Sequence, residues 1–129
     1  MRLKRFFTEL LTMGGYPVTK DNLNGFMKWE SCEGTSADYN PLATTLKMPG
    51  STDFNDNGGV PVQNYVSRDQ GVKATLITIR NGYYEHIVMA LKLGTLGSSI
   101  RASGVIRDEL DTWGSGGWCV ATQLGGIIK

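Results

Sequence analysis

The sequence predicts an α+β domain that is mainly α, with helices on either side of a small β-hairpin and loop subdomain that flanks a cleft. Three observations predict it. Apolar residues recur at helical spacing before residue 35 and again after residue 66. The segment 35–66 loses that spacing and holds three of the four prolines, with many Gly, Asn, Asp, Ser and Thr residues. The 129 residues suit one domain spanning 1–129, and a domain of that size buries roughly two thirds of its unfolded surface.

Leu3, Phe6, Phe7, Leu10 and Leu11 have the spacing of a first helix, which Gly14-Gly15 stops. Thr19 is placed to cap a second helix, with Asp21 in its first turn where negative charge suits the helix dipole. That helix carries Leu23, Phe26, Met27, Trp29 and Glu30, reaches Cys32-Glu33, and ends at Gly34. Within the irregular segment, Leu42–Leu46 and Val60–Tyr65 are expected to pair as short strands, with a turn at Asn57-Gly58-Gly59. Ser67-Arg68-Asp69-Gln70 has the form of a capping box. Val72, Leu76 and Ile79 follow on one helix face, closed by Asn81-Gly82. Residues 83–93 predict another helix, with Tyr84, Ile87, Val88 and Leu91 on one side and Gly94 at its end. Residues 98–112 are expected to form a last helix, weakened by Gly104 at a cost of about 1 kcal/mol relative to alanine. The Gly-rich apolar tail from Trp113 to Lys129 gives no clear pattern.

Charge argues against a nucleic-acid partner. Thirteen Lys and Arg balance 12 Asp and Glu, giving a net charge of +1 with no basic stripe. No apolar stretch approaches the roughly 18 residues of a membrane span, so no membrane insertion is expected. The N-terminal Arg2, Lys4 and Arg5 precede a run that Glu9 interrupts, which reads as a helix rather than an export signal. Cys32 and Cys119 are either free or joined in one bridge; lacking an export signal, the chain is expected to keep them free. One histidine and two distant cysteines do not make a metal site. His86, beside Glu85, reads as a solvated helix residue rather than the partner of a catalytic cysteine. No metal and no cofactor are expected.

Glu33 stands out. It ends an apolar helix beside Trp29 and Cys32 and immediately precedes the loop-rich segment. Apolar neighbours that strip water from a carboxyl group raise its pKa and let it hold a proton near neutral pH, where it can protonate a glycosidic oxygen. Spacing alone favours a solvated helix-end carboxylate.

An ordered series of motifs adds to this. Trp29-Glu30-Ser31-Cys32-Glu33-Gly34 is followed by Asn40-Pro41-Leu42-Ala43-Thr44-Thr45, Phe54-Asn55, Gly59-Val60, Asn64-Tyr65-Val66-Ser67 and Gln70-Gly71. Ala74-Thr75, Asn81-Gly82-Tyr83 and Trp113-Gly114 extend it. The series resembles phage and actinobacterial peptidoglycan-hydrolase domains of the lysozyme superfamily, over about two thirds of the chain. Cys32 stands where the family usually has alanine and Ala43 where it often has asparagine. Two further residues precede Val62-Gln63-Asn64-Tyr65, a loop change that bears on substrate fit.

The resemblance implies a lysozyme-like fold and Glu33 as catalytic acid, and gives Glu30 no role. Most glycosidases use two carboxylates. Asp38, Asp53 and Asp56 lie in the loop segment, and each also reads as a turn or surface residue. Two routes follow: hydrolysis aided by an aspartate or water, and lytic transglycosylation, in which Glu33 alone acts first as acid and then as base toward a hydroxyl of the sugar. Thr44, Asn55, Gln63 and Tyr65 are the candidate substrate-binding residues, offering an aromatic face and amide or hydroxyl groups to a sugar. Trp113 and Trp118 have the area to stack on sugars but suit a core better, and Tyr83-Tyr84 reads as a helix entry with one buried ring.

The expected partner is the peptidoglycan glycan strand, with virion proteins as further partners if the domain travels in a phage particle. The resemblance further implies synthesis in a bacterial host cytoplasm and action at the cell wall or in the virion. Two other classes remain open: a non-catalytic lysozyme-like module that binds glycan or builds a virion, and an unrelated helical interaction protein.

Overall fold

The computed structural model of the protein describes residues 1–56, 58–114 and 119. Among them it forms six helices and one two-stranded antiparallel sheet. The helices are α1 (Leu3–Gly14), α2 (Lys20–Glu33), α3 (Arg68–Ile79), α4 (Glu85–Leu93), α5 (Leu96–Ala102) and α6 (Gly104–Gly114). The strands are β1 (Thr52–Asp53) and β2 (Gln63–Asn64), in the register Thr52 with Asn64 and Asp53 with Gln63. The fold is thus mainly helical α+β, with the sheet inserted between α2 and α3.

Local chemistry accounts for most element ends. Thr19 Oγ1 accepts the Asn22 amide at 3.0 Å and donates to the Gly94 carbonyl at 2.7 Å, so one hydroxyl starts α2 and ties it to the end of α4. Ser67 Oγ accepts the Gln70 amide at 3.1 Å. Gln70 reaches back one residue further than an ordinary capping box, accepting the Val66 amide and donating to the Pro49 carbonyl.

The core gathers Phe6, Phe7, Leu10 and Leu11 of α1, Phe26 and Trp29 of α2, Val72, Leu76 and Ile79 of α3, Ile87 and Leu91 of α4, and Leu96 and Ile100 of α5. These are the apolar positions whose helical spacing the sequence displays. Phe7, Phe26 and Trp29 stack with ring centroids 4.8 and 5.9 Å apart. The buried Asn22 donates to the Pro17 and Leu91 carbonyls and accepts the Leu96 amide, which fixes α2 against the α4–α5 turn.

Three expectations are corrected. The first strand is not Leu42–Leu46 but Thr52–Asp53. Ala43 adopts a left-handed φ of 59°, which breaks an extended run. The Asn40 side chain takes both the Thr44 amide and the Thr44 carbonyl, at 2.8 Å each. Only one ladder-like bond, Gln63 amide to Thr44 carbonyl, survives there. Asn57 of the expected turn lies outside the described residues.

The last helix, expected over 98–112, is two helices divided at Ser103, whose φ of −122° and ψ of 113° are extended. Ser103 Oγ accepts the Ile106 amide at 3.2 Å, so Gly104 opens α6 under a serine cap instead of weakening a helix interior. The cysteines are not free: Cys32 and Cys119 form a disulfide. No described helix is long and apolar enough to cross a membrane.

Candidate active site

Glu33 is the last residue of α2, and Gly34 takes the left-handed φ of 62° that ends the helix and turns the chain toward the loop segment. The carboxyl group is half-buried, and its Oε2 atom is buried with no hydrogen-bond partner. Burial pushes its pKa up to about 7, which the indole N–H of Trp29 partly opposes. Trp29 Nε1 nevertheless makes no hydrogen bond of ordinary geometry. It lies near enough to favour the charged carboxylate without a closed bond.

The end of α6 forms one wall beside Glu33. A Cβ on Gly114 would stand 2.7 Å from Glu33 Oε1 and 3.1 Å from Oε2, so a side chain there would push the carboxyl aside. Trp113, one residue earlier, donates its indole N–H to the Leu42 carbonyl at 2.7 Å. Its ring meets Trp29 edge-on at 5.0 Å and Tyr84 at 5.2 Å. One residue before Glu33 on the same helix, Cys32 is bonded to Cys119. Thus α2 and the end of α6 meet at one carboxyl group.

The loop that follows is organised from within. Gly71 of α3 lies so close to it that a Cβ would be 1.9 Å from the Tyr39 carbonyl oxygen. Asn40 bonds Thr44 and the Gln63 carbonyl. Glu30, Thr35, Asp38, Tyr39 and Pro41 line a depression of about 520 Å³ beside this loop, and burial raises the pKa of Glu30.

The four candidate substrate-binding residues take up the loop and sheet, with their polar atoms engaged inside the protein. Thr44 is buried, its hydroxyl 3.4 Å from that of Thr75. Gln63 is buried and links Ser51 to Asp53. Tyr65 is buried, its hydroxyl donates to the Leu46 carbonyl at 2.6 Å, and burial pushes its pKa up to about 12. Asn55 Oδ1 accepts the Val62 amide at 3.0 Å. The geometry gives all four a part in shaping the loop.

Of the aspartates considered as a second acid, Asp53 accepts from Gln63, while Asp38 and Asp56 are exposed. Trp113 packs on the core, as its residue type suggests, and Trp118 lies outside the described residues. Tyr83 is exposed and Tyr84 buried, as expected of a helix entry.

Sequence reasoning missed Glu109. Its Oε2 accepts from the His86 amide at 3.1 Å and sits 2.7 Å from His86 Nδ1, while Oε1 accepts the Ile87 amide at 2.9 Å. Glu109 therefore caps α4 from another helix, which explains how α4 starts without a capping side chain of its own. His86 is not the simply solvated residue expected but the partner of a buried carboxylate. With both cysteines in a disulfide, a Cys–His hydrolase pair has no thiol to use. Among the described residues, no cluster of three metal-ligating side chains occurs.

No family model matches the chain, and neither a curated protein nor a solved structure matches it.

Proposed function

We propose that this chain is a lysozyme-like domain that cleaves the glycan strand of peptidoglycan, with Glu33 as general acid. The observation that carries the reading is the half-buried Glu33 carboxyl, pushed up to about 7 and holding a buried, unpartnered oxygen at the end of α2, where the loop segment begins. A group with that pKa is substantially protonated at neutral pH and still gives up its proton to a leaving oxygen.

The step begins with proton transfer from Glu33 to the glycosidic oxygen as the bond to the sugar's anomeric carbon breaks. The Glu33 carboxylate then takes a proton from the attacking group. In hydrolysis that group is water; in lytic transglycosylation it is a hydroxyl of the same sugar. The single-carboxylate route suits the site better, because Asp53 is bonded to Gln63 and Glu109 is held by α4.

The disulfide supports action outside a reducing cytoplasm, as at a bacterial wall or in a virion reached after synthesis in the host cell. Peptidoglycan glycan is the partner, with virion proteins in addition if the domain is carried in a particle.

A second reading has its own observation. The polar atoms of Thr44, Gln63 and Tyr65 are engaged inside the protein, which favours a non-catalytic lysozyme-like module that binds glycan or builds a virion. Incubation with purified walls and mass spectrometry of the released fragments separates these readings. Reducing ends mean hydrolysis and anhydro-sugar ends mean transglycosylation. Retention on walls without fragments, across several wall types, means the non-catalytic module.

A further inference from the structure

Two buried polar atoms one helical turn apart lack partners: the indole N–H of Trp29 and Oε2 of Glu33. Residues at i and i+4 share a helix face. A buried donor without an acceptor costs free energy comparable to a lost hydrogen bond, so a native fold that leaves one beside an unpartnered carboxyl oxygen needs a reason.

The indole cannot easily turn elsewhere. Trp29 is fully buried, stacked on Phe26 at 5.9 Å and met edge-on by Trp113 at 5.0 Å. On the α6 side, Gly114 comes so near that a Cβ there would stand 2.7 Å from Glu33 Oε1. The elements around it carry the ionisable groups Glu30, Asp38, Arg107, Asp108, Glu109 and Asp111. Burial raises the proton affinity of Glu33, and the Trp29 indole lowers it.

We infer that Trp29 is a positioning residue for the proposed reaction: its indole N–H stays open toward protonated Glu33 and closes on the carboxylate once the proton has left. A donor fixed where negative charge develops stabilises that charge without reorganising. In a site that uses one carboxyl as acid and then as base, this donor steadies the intermediate carboxylate. The inference rests on the glycan-cleaving reading for its catalytic meaning, but the contact itself does not.

The test replaces Trp29 with benzothienylalanine, which keeps the fused-ring shape and removes only the N–H. The side-chain carboxyl carbon of Glu33, labelled with carbon-13, is titrated by NMR in both proteins, and glycan cleavage is followed across pH. The expected result is a Glu33 midpoint moved to higher pH by about one pH unit. The basic limb of the cleavage profile moves with it, and cleavage at the optimum falls about tenfold. An unmoved midpoint in a folded variant overturns the inference, whatever the activity. A moved midpoint in a protein that cuts no glycan upholds the contact and overturns its catalytic role together with the cleavage reading. Trp29→Phe, with the same titration, serves as a second variant if the first is poorly folded.

Discussion

Helix α6 meets two carboxyl groups at the ends of other helices, and it treats them oppositely. Its own Glu109 is buried under the start of α4 and accepts from two backbone amides, with His86 Nδ1 at 2.7 Å. Five residues later, Gly114 presses on Glu33 at the end of α2, and Glu33 Oε2 has no partner. The first carboxylate sits where the helix dipole favours negative charge, the second where it does not. A carboxylate with every acceptor occupied holds a structure together. One left dry and unpaired at a helix C-terminus holds its proton to higher pH. The contrast teaches that burial alone does not raise a carboxyl's proton affinity; burial without compensation does.

That contrast can be broken by substitution. Glu109→Ala is expected to destabilise the fold by about 3 kcal/mol, because it removes the cap of α4 and strands two amides and an imidazole. Urea unfolding measures it, and a loss near zero would contradict the capping role of Glu109. Gly114→Ala should act at the other end. Its Cβ would displace the Glu33 carboxyl, and cleavage should fall roughly tenfold with a stability loss of about 1 kcal/mol. Fragment release and a melting curve on the same preparation separate the two effects.

A further effect is one of pH on stability. The ordinary glutamate pKa of 4.5 describes the unfolded chain, and the folded Glu33 stands at about 7. Between those values the folded state holds a proton that the unfolded state has lost, so stability falls as pH rises from about 4.5 through about 7. Glu33→Gln should flatten that part of the dependence, seen as the difference between wild-type and variant urea midpoints at the two ends of the window.

Helices were legible where one strong local signal dominated. Thr19, Ser67 and Gly34 mark ends because cap chemistry acts within four residues, and Phe6, Phe26, Ile79 and Leu91 mark faces because burial follows helical period. The strand at Leu42–Leu46 failed for a local reason hidden in another side chain: Asn40 captures the Thr44 amide and carbonyl and Ala43 turns left-handed. The division at Ser103 was readable in principle, since a serine before Gly104 and three residues ahead of Ile106 is a cap signal.

Glu33 was legible as a candidate from its apolar neighbours. Its closest constraints were not. Gly114 comes from 81 residues away in sequence, and nothing near Glu109 announces that it caps a different helix. Long-range approach is set by packing, which leaves only a glycine, a cysteine or a lone carboxylate in the sequence as its trace.

The most direct test of Glu33 as the acid is a timed digest of purified peptidoglycan by wild type and by Glu33→Gln, with thermal unfolding measured on the same samples. The substitution keeps the shape of the side chain and removes its proton chemistry. The proposed role predicts fragment release reduced by about 10²–10⁴-fold at an unchanged or higher melting temperature. Equal release from both proteins would contradict it.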